Sequence, residues 1–392
     1  MRAIVLVIDS FGIGALPDAN RYGDEGSNTA GHICDVMSGE KWPALKRLGL
    51  GNAARLAGHN LSGCEAVEIP EASVAIMAER SSGKDTTTGH WELAGVILDR
   101  AFRTFPSEYP SFPADLISNF SSRIGRTVIG NRAASGTEII EELGDEHLRS
   151  GSPIVYTSSD SVFQIAAHGE TVSVDELYKI CEVARQLCDP YRIGRVIARP
   201  FVGASGQFIR TESRRDFSME PAGETLLDRL WGAGVETIGV GKIGDIFTER
   251  GLSRSYHDKG NNNCLDRVEA LLSESSPENQ LIFANLVDTD MIFGHRRNPA
   301  GYADSVSAID SRIAKFREAI DGDDILVVTA DHGCDPTYRG TDHTREYVPL
   351  LWYQRNRSPQ NLGVRSTFSD LAQTISRELG AGDMKHGESL FR

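Results

Sequence analysis

The sequence predicts an α/β fold built on a mostly parallel sheet. Short apolar runs at residues 3–8, 281–287 and 325–328 are rich in valine, leucine and isoleucine, as is typical of strands buried on both faces. Helix-like segments separate these runs, as the crossovers of a parallel sheet require. Each run leads into aspartate or histidine residues, and open α/β sheets bind ligands at that end of their strands.

Length and charge narrow the class of protein. The chain has 392 residues, enough for two or three domains, and a net charge of −14. That charge argues against nucleic acid or an anionic membrane as the main partner, because phosphate groups attract lysine and arginine. No apolar run approaches the roughly 20 residues of a membrane span. The first run meets Asp9 before any signal-cleavage pattern.

The cysteines favour a reduced, cytoplasmic protein. Six cysteines stand at positions 34, 64, 181, 188, 264 and 334, and none forms a C-x-x-C pair. Scattered cysteines in a chain of this length are typical of free thiols. We therefore expect reduced thiols and a cytoplasmic location.

Periodicity predicts the elements of the main α/β region in order. The predicted strands are residues 3–8, 236–240, 281–287, 325–328 and 349–353. The predicted helices are residues 91–96, 224–232, 263–273, 302–320 and 369–379.

The middle of the chain has a different character. Residues 102–113 are rich in proline and aromatics, which is typical of a linker. Strands at 128–129 and 154–156 and helices at 138–143 and 174–187 then predict a separate small α/β unit. We expect a core at 1–100 and 219–392, with a smaller α/β domain inserted at 101–218.

Aspartate and histidine residues follow three predicted strands. Asp9 ends the first strand, and the other candidates follow the strands at 281–287 and 325–328; together they are Asp9, Asp290, His295, Asp331, His332 and His343. One such residue alone would favour a turn-capping role. In a parallel sheet the strand carboxyl ends share one edge, so these side chains are expected to converge. Six nitrogen and oxygen ligands fit two divalent ions, with Zn²⁺ or Mn²⁺ favoured over Ca²⁺ by the imidazoles.

The charge of such a site points to phosphoryl transfer. Two ions carry four positive charges and three carboxylates cancel three of them, so the site would attract an anion. A threonine hydroxyl beside the ions would be a competent nucleophile. Thr86, Thr87 and Thr88 precede a predicted helix, where hydroxyls suit phosphate binding. Spacing alone favours plain helix capping and does not choose among the three threonines.

Two further features carry open alternatives. Between Arg192 and Arg215 lie six arginines and one acidic residue, Glu212, which fits either an anion-binding surface or a solvated basic face. His32 is a further candidate ligand, although its context favours a structural role.

With these residues in place, the chain resembles the phosphopentomutases, a family of the alkaline phosphatase superfamily, nearly from end to end. The matching blocks are residues 7–14, 83–92, 134–138, 156–162, 196–201, 293–297 and 341–346. The resemblance implies an alkaline-phosphatase-like core with an inserted α/β cap domain. Relatives usually carry His-Gly-Asn where this chain has His332-Gly333-Cys334; an altered metal preference, an altered sensitivity to oxidation and no effect are the alternatives for this change.

The resemblance also implies roles for individual residues. One Mn²⁺ would be held by Asp9, Asp331 and His332, and a second by Asp290, His295 and His343, with Zn²⁺ or another divalent ion as the alternative. Thr86 aligns with the phosphorylated nucleophile of the family. Asp160, Arg199, Arg210 and Lys242 match positions that contact substrate.

The implied reaction interconverts ribose 1-phosphate and ribose 5-phosphate, and the 2-deoxy forms, through a phosphothreonine and a pentose bisphosphate. Pentose phosphates and an activating sugar bisphosphate are the expected partners. The alternatives are another di-metal phosphatase or phosphodiesterase, or a phosphoglycerate mutase, of the same superfamily. From a different class, a non-catalytic protein that binds metal or sugar phosphate is the remaining alternative. The oligomeric state is not indicated.

Overall fold

The computed structural model describes residues 1–39, 41–158, 161–275 and 279–391. These residues form two compact units, which we call unit 1 (1–101 and 221–392) and unit 2 (102–220). The unit boundaries fall within two residues of the domain boundaries expected from the sequence. That unit 2 acts as a cap remains a prediction.

In the part of the chain that the structure describes, unit 1 contains an eight-stranded sheet and nine α-helices. Its strands are β1 (Arg2–Ile8), β2 (Ser73–Met77), β9 (Glu236–Val240), β10 (Arg254–Tyr256), β11 (Gln280–Leu286), β12 (Ile325–Thr329), β13 (Val348–Tyr353) and β14 (Asn361–Arg365). Its helices are α1 (Thr29–Val36), α2 (Pro43–Leu48), α3 (Leu50–Leu56), α4 (Thr86–Leu93), α8 (Leu226–Gly232), α9 (Ile243–Phe247), α10 (Asn261–Ser273), α11 (Pro299–Ala319) and α12 (Ser369–Glu378). The labels β3–β8 and α5–α7 belong to unit 2.

The strands of unit 1 follow the order β10-β9-β11-β1-β12-β13-β2-β14. The first five are parallel to one another, and β13 runs antiparallel to both of its neighbours. The central strands are buried along their length, because apolar residues point to both faces. Among the helices, α11 packs against α1, α2 and α10, while α12 packs against α4 and α8. These two groups of helices cover the sheet.

Unit 2 is built on a six-stranded sheet. Its strands are β3 (Ile129–Ala133), β4 (Ile154–Thr157), β5 (Val162–His168), β6 (Arg195–Val202), β7 (Ile209–Arg210) and β8 (Arg215–Ser218). Its helices are α5 (Ala114–Ile124), α6 (Gly136–Ser150) and α7 (Val174–Cys188). The order is β3-β4-β5-β6-β7, with β8 also paired to β6.

Two apolar layers cover the faces of the unit 2 sheet. Alternation along β5 sends Phe163 and Ile165 into the larger layer, which includes residues of α5 and α7. Ala166 points to the opposite layer, where it joins Ile139 and Ile140 of α6. The alternation therefore explains why helices lie on both sides of this sheet.

The α/β class with parallel-rich sheets is confirmed, and most boundaries differ from the expected ones by one or two residues. The strands β2, β5, β6, β7, β8, β10 and β14 were not predicted. β6 was hidden because arginines interrupt its apolar run, and β10 is only three residues long. Among the described residues, no helix combines the length and apolar character that crossing a membrane requires.

Candidate metal centre

Three central strands of unit 1 end at the same level. Ile8 at the end of β1 pairs with Leu286 at the end of β11, and Val7 pairs with Thr329 at the end of β12. Because the three strands are parallel, the loops that follow them emerge side by side. These loops carry the aspartates and histidines singled out in the sequence.

The first group of donors lies after β1 and β12. His332 Nε2 is 3.5 Å from Asp9 Oδ1 and 3.2 Å from Asp331 Oδ2. All three side chains are buried, with at most 1% of each residue exposed. The Ser10 backbone N–H donates to Asp331 Oδ1 at 3.0 Å, which fixes that carboxylate against the end of β1.

The second group surrounds Asp290, which lies in a π-helical turn (Thr289–Gly294) just past β11. Asp290 Oδ2 is 3.3 Å from His295 Nε2, and Asp290 Oδ1 is 3.3 Å from His343 Nε2. The centroids of the His343 and His332 rings lie 4.1 Å apart, with the ring planes tilted by 37°, so the two groups adjoin. The six candidate ligands are thus brought together in unit 1.

Three overlapping sets of side chains are close enough to hold a metal ion. They are Asp9 with Asp331 and His332, Asp290 with His332 and His343, and Asp290 with His295 and Cys334. The first set matches the one implied by the family resemblance. Asp290, His295 and His343 do not form a single set, although Asp290 contacts both histidines.

The donor atoms fit a divalent cation. Buried polar atoms without a hydrogen-bond partner among the described residues include Asp9 Oδ1, Asp290 Oδ1, Asp331 Oδ2 and His343 Nε2. Burial, together with the carboxylates of Asp331 and Asp290, raises the pKa of Asp9 to about 7. A cation would relieve this repulsion, and the mixture of carboxylates and imidazoles suits Mn²⁺ or Zn²⁺.

The first turn of α4 brings one threonine to this cluster. Asp85 caps the helix, accepting hydrogen bonds from the Thr88 backbone N–H at 3.1 Å and from the Thr88 hydroxyl. Thr86 is the first helical residue, and its Oγ1 lies 3.2 Å from His332 Nε2. Asp85 therefore fills the capping role that the sequence favoured. The Thr86 hydroxyl instead faces the carboxylates and imidazoles of the candidate metal centre.

A glycine makes the close approach of α4 to this cluster possible. A Cβ added at Gly89 would lie 2.2 Å from the backbone oxygen of Asp331. A side chain at this position would force the helix away from the loop that carries Asp331 and His332.

Two buried residues missed by the sequence interpretation support the carboxylates. His90 Nδ1 is 3.0 Å from Asp331 Oδ2, and Asn285 Nδ2 donates to Asp9 Oδ2 at 2.8 Å. Asn285 Nδ2 also lies 3.2 Å from His90 Nε2, so a single chain of polar groups links the ends of β1, β11 and α4. His90 lies in residues 83–92, one of the blocks that match the family. Asn285 lies within an apolar strand, where nothing in the sequence pattern indicated a functional role.

A buried arginine ties the His343 loop to the segment before Thr86. Arg345 Nη1 donates to Glu79 Oε2 at 2.5 Å, to the backbone oxygen of Ser81 at 2.9 Å and to that of Gly83 at 2.7 Å. Only 3% of the Arg345 side chain and 2% of the Glu79 side chain are exposed. We call these contacts the Arg345 clamp.

In unit 2 two of the candidate substrate-binding residues, Arg199 and Arg210, lie near the hydroxyl group of Tyr156. Burial raises the pKa of Tyr156, while the charges of Arg199 and Arg210 oppose that rise. A Cβ added at Gly136, the first residue of α6, would lie 2.6 Å from Tyr156 Oη and 3.3 Å from Arg210 Nη1. The positive end of α6, Tyr156 and Arg210 therefore share one location.

The remaining predicted residues lie elsewhere. Lys242 belongs to unit 1 and precedes α9 as its N-cap residue. Asp160 lies outside the described residues. His32 Nδ1 pairs with Asp335 Oδ2 at 2.5 Å, so the structural role favoured by the sequence agrees with its contact.

The fold and the cluster of donors define a metalloenzyme, and the family described as the Metalloenzyme superfamily matches residues 1–383. Within that class the chain belongs to the phosphopentomutase family. A phosphopentomutase of Desulfitobacterium hafniense (strain DSM 10664 / DCB-2) is 49% identical over 392 residues, which cover 100% of this chain and 98% of the relative. The family expected from the sequence is thus confirmed.

Other comparisons agree. A phosphopentomutase of Thermotoga maritima is 49% identical over 392 residues, covering 99% of this chain and 98% of the relative. Among solved structures, the PH0037 protein from Pyrococcus horikoshii matches with a TM-score of 0.50 and 12% identity over 98% of this chain and 99% of that chain. At that identity the likeness concerns the fold alone.

Proposed function

We propose that this protein interconverts ribose 1-phosphate and ribose 5-phosphate, and the 2-deoxy forms, through a phosphorylated Thr86. The observation that carries this proposal is the 3.2 Å approach of Thr86 Oγ1 to His332 within a cluster of carboxylates and imidazoles. Membership of the phosphopentomutase family supports the choice of substrate. We further propose that the enzyme works in the cytoplasm, where its six free cysteines stay reduced.

In this proposal two divalent ions, preferentially Mn²⁺, occupy the cluster. Asp9, Asp331 and His332 would hold one, and Asp290, His295 and His343 the other. When bound, such ions lower the pKa of the threonine hydroxyl and neutralise charge on the transferred phosphoryl group. The chain itself contributes orientation, because Ser10, His90 and Asn285 fix the carboxylates before substrate arrives.

The proposed cycle conserves the phosphoryl groups. Phosphorylated Thr86 gives its group to the free hydroxyl of a bound pentose phosphate, so the bond between phosphorus and Thr86 Oγ1 breaks as the new ester forms. The proton of the sugar hydroxyl replaces the phosphoryl group on the threonine. The bisphosphate then returns its other phosphoryl group to Thr86 Oγ1, the sugar oxygen that loses this group takes up the threonine proton, and the isomeric pentose monophosphate leaves. A sugar bisphosphate would start the cycle by phosphorylating Thr86.

The start of α4 supports this role for Thr86. The residue stands at the positive end of the helix, which stabilises a phosphate attached to its hydroxyl. Thr88 is unsuited, because its hydroxyl donates to Asp85. Unit 2 would act as a cap that keeps water from the phosphothreonine, since its hydrolysis would turn the mutase into a phosphatase.

The test is an isomerisation assay on metal-stripped protein refilled with Mn²⁺ or Zn²⁺. With a trace of ribose 1,5-bisphosphate as primer, we expect ribose 1-phosphate to yield ribose 5-phosphate only after metal is added, with little free phosphate. Stoichiometric phosphate release would instead identify a phosphatase. Turnover of phosphoglycerate in preference to pentose phosphate would identify a different mutase, and absence of metal-dependent turnover would favour a binding protein.

We propose that Arg199, Arg210, Lys242 and Asp160 contact the substrate, with the arginines holding the phosphate that does not react. Arg199 is half-buried and its Nε donates to Gln164 Oε1 at 3.2 Å, so its guanidinium is already oriented. Fixed guanidinium groups suit the geometry of phosphate oxygens.

Replacement of Arg199 by Gln is expected to raise KM for ribose 5-phosphate by roughly 10- to 100-fold, because a hydrogen bond to a charged group contributes about 1.5–3 kcal/mol. The effect on kcat should be smaller than the effect on KM. Arg149, an exposed residue near the end of α6, provides the matched control. Steady-state kinetics would contradict the assignment if Arg199→Gln and Arg149→Gln gave the same KM.

A further inference from the structure

Cys334 has a fixed position beside the metal centre. The residue follows His332 and Gly333 and is 1% exposed. Its backbone N–H lies 3.2 Å from the backbone oxygen of Ser10 and 3.2 Å from Thr29 Oγ1, acceptors at the end of β1 and the start of α1. These contacts anchor the residue, so the direction of its thiol is set by the fold.

The thiol points at the turn that carries Asp290 and His295. A Cβ added at Gly294 would lie only 2.9 Å from Cys334 Sγ, so the sulfur occupies the space that a side chain at 294 would fill. Sγ lies 3.9 Å from His295 Nδ1 and 3.8 Å from the backbone oxygen of Asp342, to which the thiol donates. A carboxylate oxygen of Asp290, a ring nitrogen of His295 and Cys334 Sγ all lie within 4.8 Å of one another.

A second observation indicates that this group of atoms receives a ligand. The Asp290 side chain is 7% exposed, and its Oδ1 and His343 Nε2, which lie 3.3 Å apart, both lack a hydrogen-bond partner among the described residues. His295 is oriented by a hydrogen bond from Nδ1 to the backbone oxygen of Thr341 at 2.6 Å, which leaves Nε2 on the side of Asp290. A buried carboxylate flanked by two imidazoles, with polar atoms left without hydrogen bonds, is the environment of a cation.

We propose that Cys334 is a further metal donor, so that the position shared with Asp290 and His295 has an oxygen, nitrogen and sulfur donor set. This inference rests on the metal centre of the proposed function and deepens it. A thiolate favours thiophilic ions such as Zn²⁺, Co²⁺ and Cd²⁺ over Mn²⁺. When the sulfur–metal bond forms, the thiol proton is released to solvent.

The test is a titration of metal-stripped protein with Cd²⁺ and, separately, Co²⁺, followed by ultraviolet absorption. A sulfur–metal bond produces a thiolate-to-metal charge-transfer band, which is expected to saturate with one sulfur-bound ion per chain and to disappear in Cys334→Ser. Cys264 is also buried and its Sγ donates to the backbone oxygen of Asp258, but among the described residues it belongs to none of the three sets that could hold a metal ion. Cys264→Ser is therefore the matched control and should keep the band.

Competition between ions gives an independent readout. The ratio of Zn²⁺ to Mn²⁺ affinity is expected to fall by about 10-fold or more in Cys334→Ser, because a soft donor has been replaced by a hard one. Cys334→Asn serves as a second variant of similar size, and circular dichroism checks that both variants fold.

Two results would overturn the inference. One is the absence of a charge-transfer band in the wild-type protein, which decides the question even if both variants fail to fold. The other is an equal band in a folded Cys334 variant. The mutase assay separates the two proposals: activity without the band rejects only the thiolate ligand, and the band without activity rejects only the proposed reaction.

Discussion

Replacing Thr86 by alanine is expected to lower mutase turnover by about 10³-fold or more, because no threonine oxygen is then available to carry the phosphoryl group between the two halves of the cycle. Thr86→Ser should keep part of the activity, since it retains a hydroxyl at the start of α4. The fold should be unaffected, because Asp85 rather than Thr86 caps the helix.

Thr87 is the matched control for this experiment. It is the next residue of the same helical turn and is equally half-buried. Thr87→Ala should keep most of the activity. After incubation with ribose 1,5-bisphosphate, mass spectrometry should find one added phosphoryl group on the peptide that contains Thr86, and none in Thr86→Ala. Full activity of Thr86→Ala, or a phosphoryl group on Thr87, would refute the assignment.

The largest expected effect on stability comes from breaking the Arg345 clamp. Arg345→Met is expected to lower the free energy of unfolding of unit 1 by about 3–5 kcal/mol, because the Glu79 carboxylate would stay buried without its partner. Burial already raises the pKa of Glu79 well above its usual range, and Arg345 opposes that rise. The loss should therefore be partly reversed in the double variant Arg345→Met, Glu79→Gln.

Urea unfolding followed by tryptophan fluorescence provides the measurement, since all four tryptophans of the chain lie in unit 1. The pair of Arg377 and Asp383 is the matched control, because both side chains are more than half exposed. Arg377→Met should change the free energy of unfolding by less than about 1 kcal/mol. A similarly small effect of Arg345→Met, or no recovery in the double variant, would contradict the proposed role of the clamp.

Sequence reasoning located the edge of the sheet that carries the candidate site. Asp9 and Asp331 follow short, uniformly apolar runs of the kind typical of buried strands, and the direction of parallel strands brings their ends together. The direction of the strands alone determines which strand ends meet, and no side-chain detail is needed to predict it. The prediction of helix starts was weaker: α4 begins at Thr86 rather than at residue 91, because threonines lower the helical signal.

The parts that could not be predicted depend on contacts between distant residues. The pairing of Asn285 with Asp9, and of His90 with Asp331, joins separate elements and leaves no periodic trace. Cys334 was noticed only for its proximity in sequence to His332. The sulfur of Cys334 packs against Gly294, next to Asp290 and His295. This contact follows from the register in which β12 and β11 pair with the two sides of β1.

The position of β1 in the sheet has a consequence for biosynthesis. β1 is translated before unit 2, yet both of its neighbours, β11 and β12, are translated after unit 2. A nascent chain that ends before residue 280 contains Asp9 and Thr86 without the strands that cover the edges of β1. Pairing across such a separation is slow, so an apolar strand stays open to aggregation during translation. Metal capture would then be among the last events in maturation, and cells that lack the ion at that moment would accumulate a less stable apoprotein.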